Sequence, residues 1–177
     1  MTCIVGLVDE GVVYIGGDSA GVGGFSMQIR KDEKVFRNGA FIMGFTTSFR
    51  MGQLLRYRFN PPKHHPSDDL VKFMSTDFID AVRDCLKTYG YAQKDKDQES
   101  GGTFLVGFEK KLFIVDSDYQ VGLVYDSFYS VGCGSDIALG AMFASVGAPP
   151  RVRITQALEA AERFSAGVRG PFIIEAA

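Results

Sequence analysis

The order of elements along the chain predicts an α+β fold with one domain over residues 1–177. Two mainly antiparallel sheets lie face to face between helix pairs, a four-layer α/β/β/α sandwich. Three observations lead there. Short β-branched runs punctuated by turn residues fill the chain up to about Thr46. Helical periodicity then takes over in the middle, and again near the end. Strand patterns occupy the stretch between and return after the last helix. Two sheets with helices on their outer faces would bury all of these, although the order alone leaves other α+β arrangements open.

Taken in turn, Thr2 to Val8 and Val12 to Ile15 are apolar and β-branched around the turn Asp9-Glu10-Gly11, which makes an opening hairpin. Gly16-Gly17-Asp18 ends its second strand, and a glycine- and serine-rich loop runs on through Gly24. Asn38-Gly39 between Lys34–Arg37 and Ala40–Phe45 is a strong two-residue hairpin signal. Ser48 to Phe59 fits a short helix, and the prolines at 61 and 66 break it. Ser67 is the expected N-cap of a long helix whose stripe runs from Leu70 and Val71 through Phe78 and Val82 to Leu86, ending near Thr88. Gln93 to Gly102 is polar and reads as an exposed connection. Thr103–Phe108 and Leu112–Val115 form a hairpin across Glu109-Lys110-Lys111, followed by strands at Gln120–Val124 and Ser127–Val131. Helices over about Ser135–Ser145 and Val152–Ser165, then a strand at Phe172–Ile174, close the order.

Composition narrows the class. Of 177 residues, 46% are hydrophobic and 23% charged, which is ordinary globular usage. Nineteen Lys and Arg against 21 Asp and Glu give a charge of -2, without the basic footprint of a nucleic-acid binder. No stretch approaches the roughly 20 apolar residues that cross a bilayer. Cys3, Cys85 and Cys133 are odd in number and far apart, which suits neither a disulfide framework nor a metal site, and points to a reducing cytoplasm. His64-His65 between prolines reads as a loop, and Cys3 and Cys85 as buried packing residues.

With Thr2 followed by Asp18 sixteen residues on and by Lys34 thirty-two residues on, the start of the chain resembles the proteasome β-subunit family and the bacterial ATP-dependent threonine protease whose peptidase forms a double ring. In that family an aspartate follows the first threonine by sixteen residues and a lysine follows it by thirty-two. Thr2, Asp18 and Lys34 meet both intervals. GDS at Gly17–Ser19 resembles the family's aspartate turn, and EKVFR at Glu33–Arg37 its lysine strand. MGFTTSFR at Met43–Arg50 lies at the place of the oxyanion loop. VGCGSDIALGA at Val131–Ala141 is similar to the turn entering an alanine-rich helix, and Ala157–Glu175 has the spacing of the final helix and strand.

The resemblance implies a threonine peptidase with Thr2 as nucleophile after removal of Met1, for which general methionine removal suffices. A threonine hydroxyl needs a base, and an N-terminal threonine carries one in its own α-amino group. Lys34 is the implied ammonium beside it and Asp18 the carboxylate that holds Lys34 in place. The Thr47 N–H is the implied oxyanion donor. Cys133 stands where the family has a serine that orients the amine, and Ser165 where many members have aspartate. Thr47 replaces the usual glycine, and Val168 and Arg169 also depart from the family pattern. The family further implies a polypeptide substrate, a homo-oligomeric ring, an ATP-dependent unfoldase partner and no cofactor. The departures motivate a second reading, a non-catalytic structural or assembly subunit, and because the same nucleophile serves both chemistries an amidohydrolase of small amides is a third.

Overall fold

The computed structural model describes residues 1–95 and 98–177. Strands β1 (Cys3–Asp9) and β2 (Val12–Gly17) form the expected hairpin. Its turn holds Glu10 and Gly11 at φ +47° and +79°, the left-handed pair that suits the twist of a tight hairpin. The loop after Asp18 departs from expectation. It contains two short strands, β3 (Ala20–Gly23) and β4 (Ser26–Ile29), paired only with each other. Strands β5 (Val35–Asn38) and β6 (Phe41–Phe45) flank the Asn38-Gly39 turn as predicted.

Helix α1 (Phe49–Tyr57) starts at the N-cap Ser48, whose hydroxyl accepts from the Arg50 N–H at 3.1 Å. The long middle helix is capped by Asp69 rather than Ser67, with the carboxylate accepting from the Lys72 N–H at 2.7 Å. It is also not one regular α-helix. Helix α2 (Leu70–Phe73) passes through a π-helical turn, Met74–Phe78, into α3 (Ile79–Thr88). The reason lies in the spacing of its buried residues: Phe73 and Phe78, like Met74 and Ile79, are five apart, and a wider i→i+5 turn brings such pairs to one face.

The polar connection holds two short strands, β7 (Gln93–Asp95) and β8 (Gln98–Ser100), and Lys96 and Asp97 lie outside the described residues. Then come β9 (Phe104–Phe108), β10 (Lys111–Val115), β11 (Val121–Leu123) and β12 (Phe128–Gly132). Helices α4 (Ser135–Ala144) and α5 (Pro150–Phe164) precede β13 (Ile173–Ala176). α5 begins two residues earlier than expected because Pro150 pre-sets the first helical turn.

Besides the two-stranded pairs β3-β4 and β7-β8, two larger antiparallel sheets result, ordered β12-β1-β2-β13 and β11-β10-β9-β6-β5. β1 is buried on both faces, and its period of two sorts its side chains. Ile4 packs with Ile15, Val35, Ile42 and Leu105, where the sheets meet. Cys3, Val5 and Leu7 pack with Ala138, Met142, Leu158 and Ala161 of α4 and α5. On the other sheet, Phe41, Met43 and Phe45 pack against Leu54, Phe78 and Val82 of the α1–α3 region. Each fully buried side chain of this size contributes about 1.5–3 kcal/mol. Gly44 lets the sheets approach closely, since a Cβ there would lie 2.5 Å from Ile4 Cγ2. Among the described residues no helix is long and apolar enough to cross a membrane.

Candidate active site

The β1–β2 hairpin brings the start of the chain beside two strand ends. Thr2 directly precedes β1, Asp18 directly follows β2, and Lys34 directly precedes β5, so strand pairing itself gathers the three. The Lys34 ammonium donates to Thr2 Oγ1 at 2.8 Å and to Asp18 Oδ1 at 2.8 Å. Lys34 and Asp18 are each 1% exposed and Thr2 5%.

A buried ion pair is stable only when its remaining polar atoms are satisfied. Asp18 meets that demand. Besides Lys34, its Oδ1 accepts from the Cys3 N–H at 3.0 Å, and its Oδ2 accepts from the N–H groups of Ala20 at 2.9 Å and Arg169 at 3.3 Å. Burial pulls the Lys34 pKa below the ordinary 10.5, and the adjacent Asp18 carboxylate works against that shift. Cys3, the neighbour of Thr2, is driven the other way. Burial pushes its thiol up to about 12, so it stays protonated and inert, as the sequence suggested.

The remaining expected residues fall on two sides of Thr2. Its N–H donates to Cys133 Sγ at 3.3 Å, and Cys133 Sγ lies 3.4 Å from the hydroxyl of Ser165, the C-cap of α5. Thr2 Oγ1 also donates to the Met1 carbonyl. Thr47 sits across a pocket of about 340 Å³ that Thr2, Lys34 and Thr47 line together. The structure thus brings the other five sequence-predicted residues, Asp18, Lys34, Thr47, Cys133 and Ser165, into the surroundings of Thr2.

Thr47 adopts φ +60°, a left-handed conformation that β-branched residues rarely take. Its hydroxyl accepts from the Thr103 N–H at 3.1 Å and contacts Thr46 Oγ1 at 3.2 Å, which fixes the turn. Its own N–H has no acceptor among the described residues, whereas the Thr46 N–H is taken up by the Thr103 carbonyl. Thr47 thus lines the pocket while its N–H has no acceptor among the described residues. The left-handed conformation costs a non-glycine residue about 1–2 kcal/mol, and the hydroxyl's hydrogen bond offsets about 1 kcal/mol. Thr47→Ala keeps the strain and loses the bond, while Thr47→Gly loses both. Thermal unfolding should therefore rank Thr47→Gly above Thr47→Ala, the reverse of the usual order.

Other residues at the site carried weaker signals. Gly132, at φ +102°, has no room for a side chain: a Cβ would lie 2.2 Å from the Thr2 carbonyl oxygen. Arg169 contributes through its N–H, which no residue type advertises. Ser26, Gln28 and Arg30 line the pocket. Their alternation with Phe25, Met27 and Ile29 was the legible sign of a strand.

Solved structures of the same architecture are known. Thiobacillus denitrificans BPH, also seen in complex with epoxomicin, superposes with a TM-score of 0.81 at 22% identity, covering 99% of this chain and 98% of the epoxomicin-bound one. The eukaryotic HslV from Trypanosoma brucei gives 0.71 at 16% identity, with 99% and 98% covered. Anbu, an ancestral beta-subunit from Yersinia bercovieri, gives 0.67 at 11%, with 99% and 81% covered. The chain has the HslV and Anbu fold. The resemblance drawn from Thr2, Asp18 and Lys34 is borne out at that level. No protein-family model and no curated sequence matches the chain.

Proposed function

We propose that this HslV-fold chain is an N-terminal threonine peptidase in which Thr2 is the nucleophile once Met1 has been removed. The observation that carries the reading is the buried Lys34 ammonium, 2.8 Å from both Thr2 Oγ1 and Asp18 Oδ1 at the base of an open pocket. With its amine free, Thr2 transfers its hydroxyl proton to that amine as Oγ1 attacks the scissile carbonyl. Lys34 stabilises the negative charge developing on Oγ1, and the Thr47 N–H, which has no acceptor among the described residues, receives the carbonyl oxyanion. The amine then protonates the leaving amine. An ester on Thr2 remains, and a water that gives its proton to the same amine hydrolyses it.

Cys133 and Ser165 act in this scheme as positioning residues for the amine, with the thiol a weaker partner than a hydroxyl. The wider proposal follows the resemblance. It is a single domain of four layers, supported by the three separate core clusters. It is cytoplasmic, assembled into a homo-oligomeric ring, and fed polypeptide by an ATP-dependent unfoldase.

The pH dependence has a defined sign. The amine must be unprotonated, so kcat/KM rises with pH. A neighbouring ammonium places that limb below the ordinary α-amino value of about 7.7–8.0. Lys34 must stay protonated, so kcat/KM falls again at a pH below 10.5, the direction in which burial moves it. A pH–rate profile with an alkaline limb at or above 10.5 contradicts the role given to Lys34.

The direct assay uses protein whose N-terminus is verified by mass spectrometry to be Thr2. It should degrade an unfolded polypeptide, and Thr2→Ala should not. Hydrolysis of small amides alone would instead select the amidohydrolase. No turnover of either substrate, despite a free Thr2, would select the structural subunit.

A further inference from the structure

The pocket beside Thr2 has a one-sided charge. Among its described lining residues the charged side chains are Arg30 and Lys34, both cations. The carboxylates paired with them, Asp18 and Asp32, touch these cations but do not line the pocket. Asp18 is 1% exposed beneath Lys34, and Asp32 lines a separate small cleft with Glu33 and Arg56.

Arg30 is held there by three features. Its stem crosses Gly21 of the facing strand, where a Cβ would lie 2.8 Å from Arg30 Cδ. Its guanidinium lies over the Phe49 ring at 3.9 Å from the centroid, the same ring that Lys34 Nζ approaches at 5.6 Å. Asp32 takes Nε at 2.7 Å and Nη2 at 2.6 Å, which orients the fork. A guanidinium has five N–H donors, so the Nη1 pair and one Nη2 proton stay free. Ser26 and Gln28, on the same face of β4, add neutral donors to the wall.

We propose that this pocket receives an acidic substrate side chain, a glutamate or aspartate next to the cleaved bond, with Arg30 as its specificity-determining residue. The proposal rests on reading Thr2 as a peptidase nucleophile and adds the substrate class. A planar, pre-oriented guanidinium accepts a carboxylate with little loss of freedom, whereas an amide of the same shape offers a weaker acceptor and no charge. A cationic side chain meets two like charges and no partner. Asp32 already shares the guanidinium, and the pair is about one-third exposed, at 35% and 38%. Solvent screening therefore limits the expected preference to about two- to fivefold.

The test compares fluorogenic peptides that differ only in the residue before the cleaved bond, Glu, Gln or Leu, using protein with a free Thr2. The Glu-to-Gln ratio of kcat/KM is the readout, so each variant is its own control for folding. The ratio should be about two to five in the parent, close to one in Arg30→Gln, intermediate in Arg30→Lys, and larger in Asp32→Asn, which frees the guanidinium. Added salt should compress it in the parent. Equal turnover of the Glu and Gln peptides, or a glutamate preference that survives Arg30→Gln, overturns this inference and leaves the peptidase standing. Failure of the parent to cleave any peptide, together with failure of Thr2 to become acylated, removes the peptidase reading and this one with it.

Discussion

Lys34→Met should lower kcat/KM by about a thousandfold or more, because it removes both the charge that stabilises the Thr2 oxygen and the charge that keeps the terminal amine unprotonated. Methionine nearly preserves the volume of the stem, so the loss reads out the ammonium rather than a cavity. Stability should fall too. Removing one member of a buried ion pair costs about 3–5 kcal/mol, since the other charge is left without its partner. The lower end applies here, because Asp18 keeps three backbone N–H donors, from Cys3, Ala20 and Arg169. Urea unfolding of the single variant and of Lys34→Met/Asp18→Asn separates the two effects. The double variant should recover part of the stability, and none of the activity.

Gly132→Ala should be nearly as damaging without touching any polar side chain. At φ +102° an alanine is strained, and its Cβ would stand 2.2 Å from the Thr2 carbonyl oxygen, a contact with backbone that has no rotamer to escape through. Strain and overpacking together come to about 3–5 kcal/mol. That corresponds to a Tm lower by about 10 °C or more in a domain of this size. Relief by moving Thr2 would shift Oγ1 relative to Lys34, and a displacement of about 1 Å costs on the order of a hundredfold in rate. A Gly132→Ala variant that retains both the parent's Tm and its turnover would contradict the packing described for β1 and β12.

The sequence made the centre of the site legible because that centre is a matter of strand ends. Once Thr2–Val8 pairs with Val12–Ile15, and Asn38-Gly39 sets the next hairpin, Thr2, Asp18 and Lys34 are drawn together by register. The pocket wall is harder to read. β3 and β4 are four residues each, β3 is half glycine, and Phe25, Met27 and Ile29 face outward, against the usual sense of an apolar stripe. The cap at Asp69 is hidden because Ser67 and Asp69 are equally competent N-caps in sequence, and only the start of the helix decides between them. The π-helical turn hides in a pattern that also fits a regular helix over most of its length. Thr47 looks like an obstacle in sequence because of its β-branch. In the fold its hydroxyl ties down the turn, and its N–H has no acceptor among the described residues.

The most direct test of the central claim is covalent. Protein with a verified free Thr2 is incubated with epoxomicin, the ligand carried by Thiobacillus denitrificans BPH of the same fold, and the adduct is mapped by peptide mass spectrometry. One adduct on residue 2, absent from Thr2→Ala and strongly slowed in Lys34→Met, is the predicted result. An unmodified Thr2 in folded protein with its amine exposed would contradict the account.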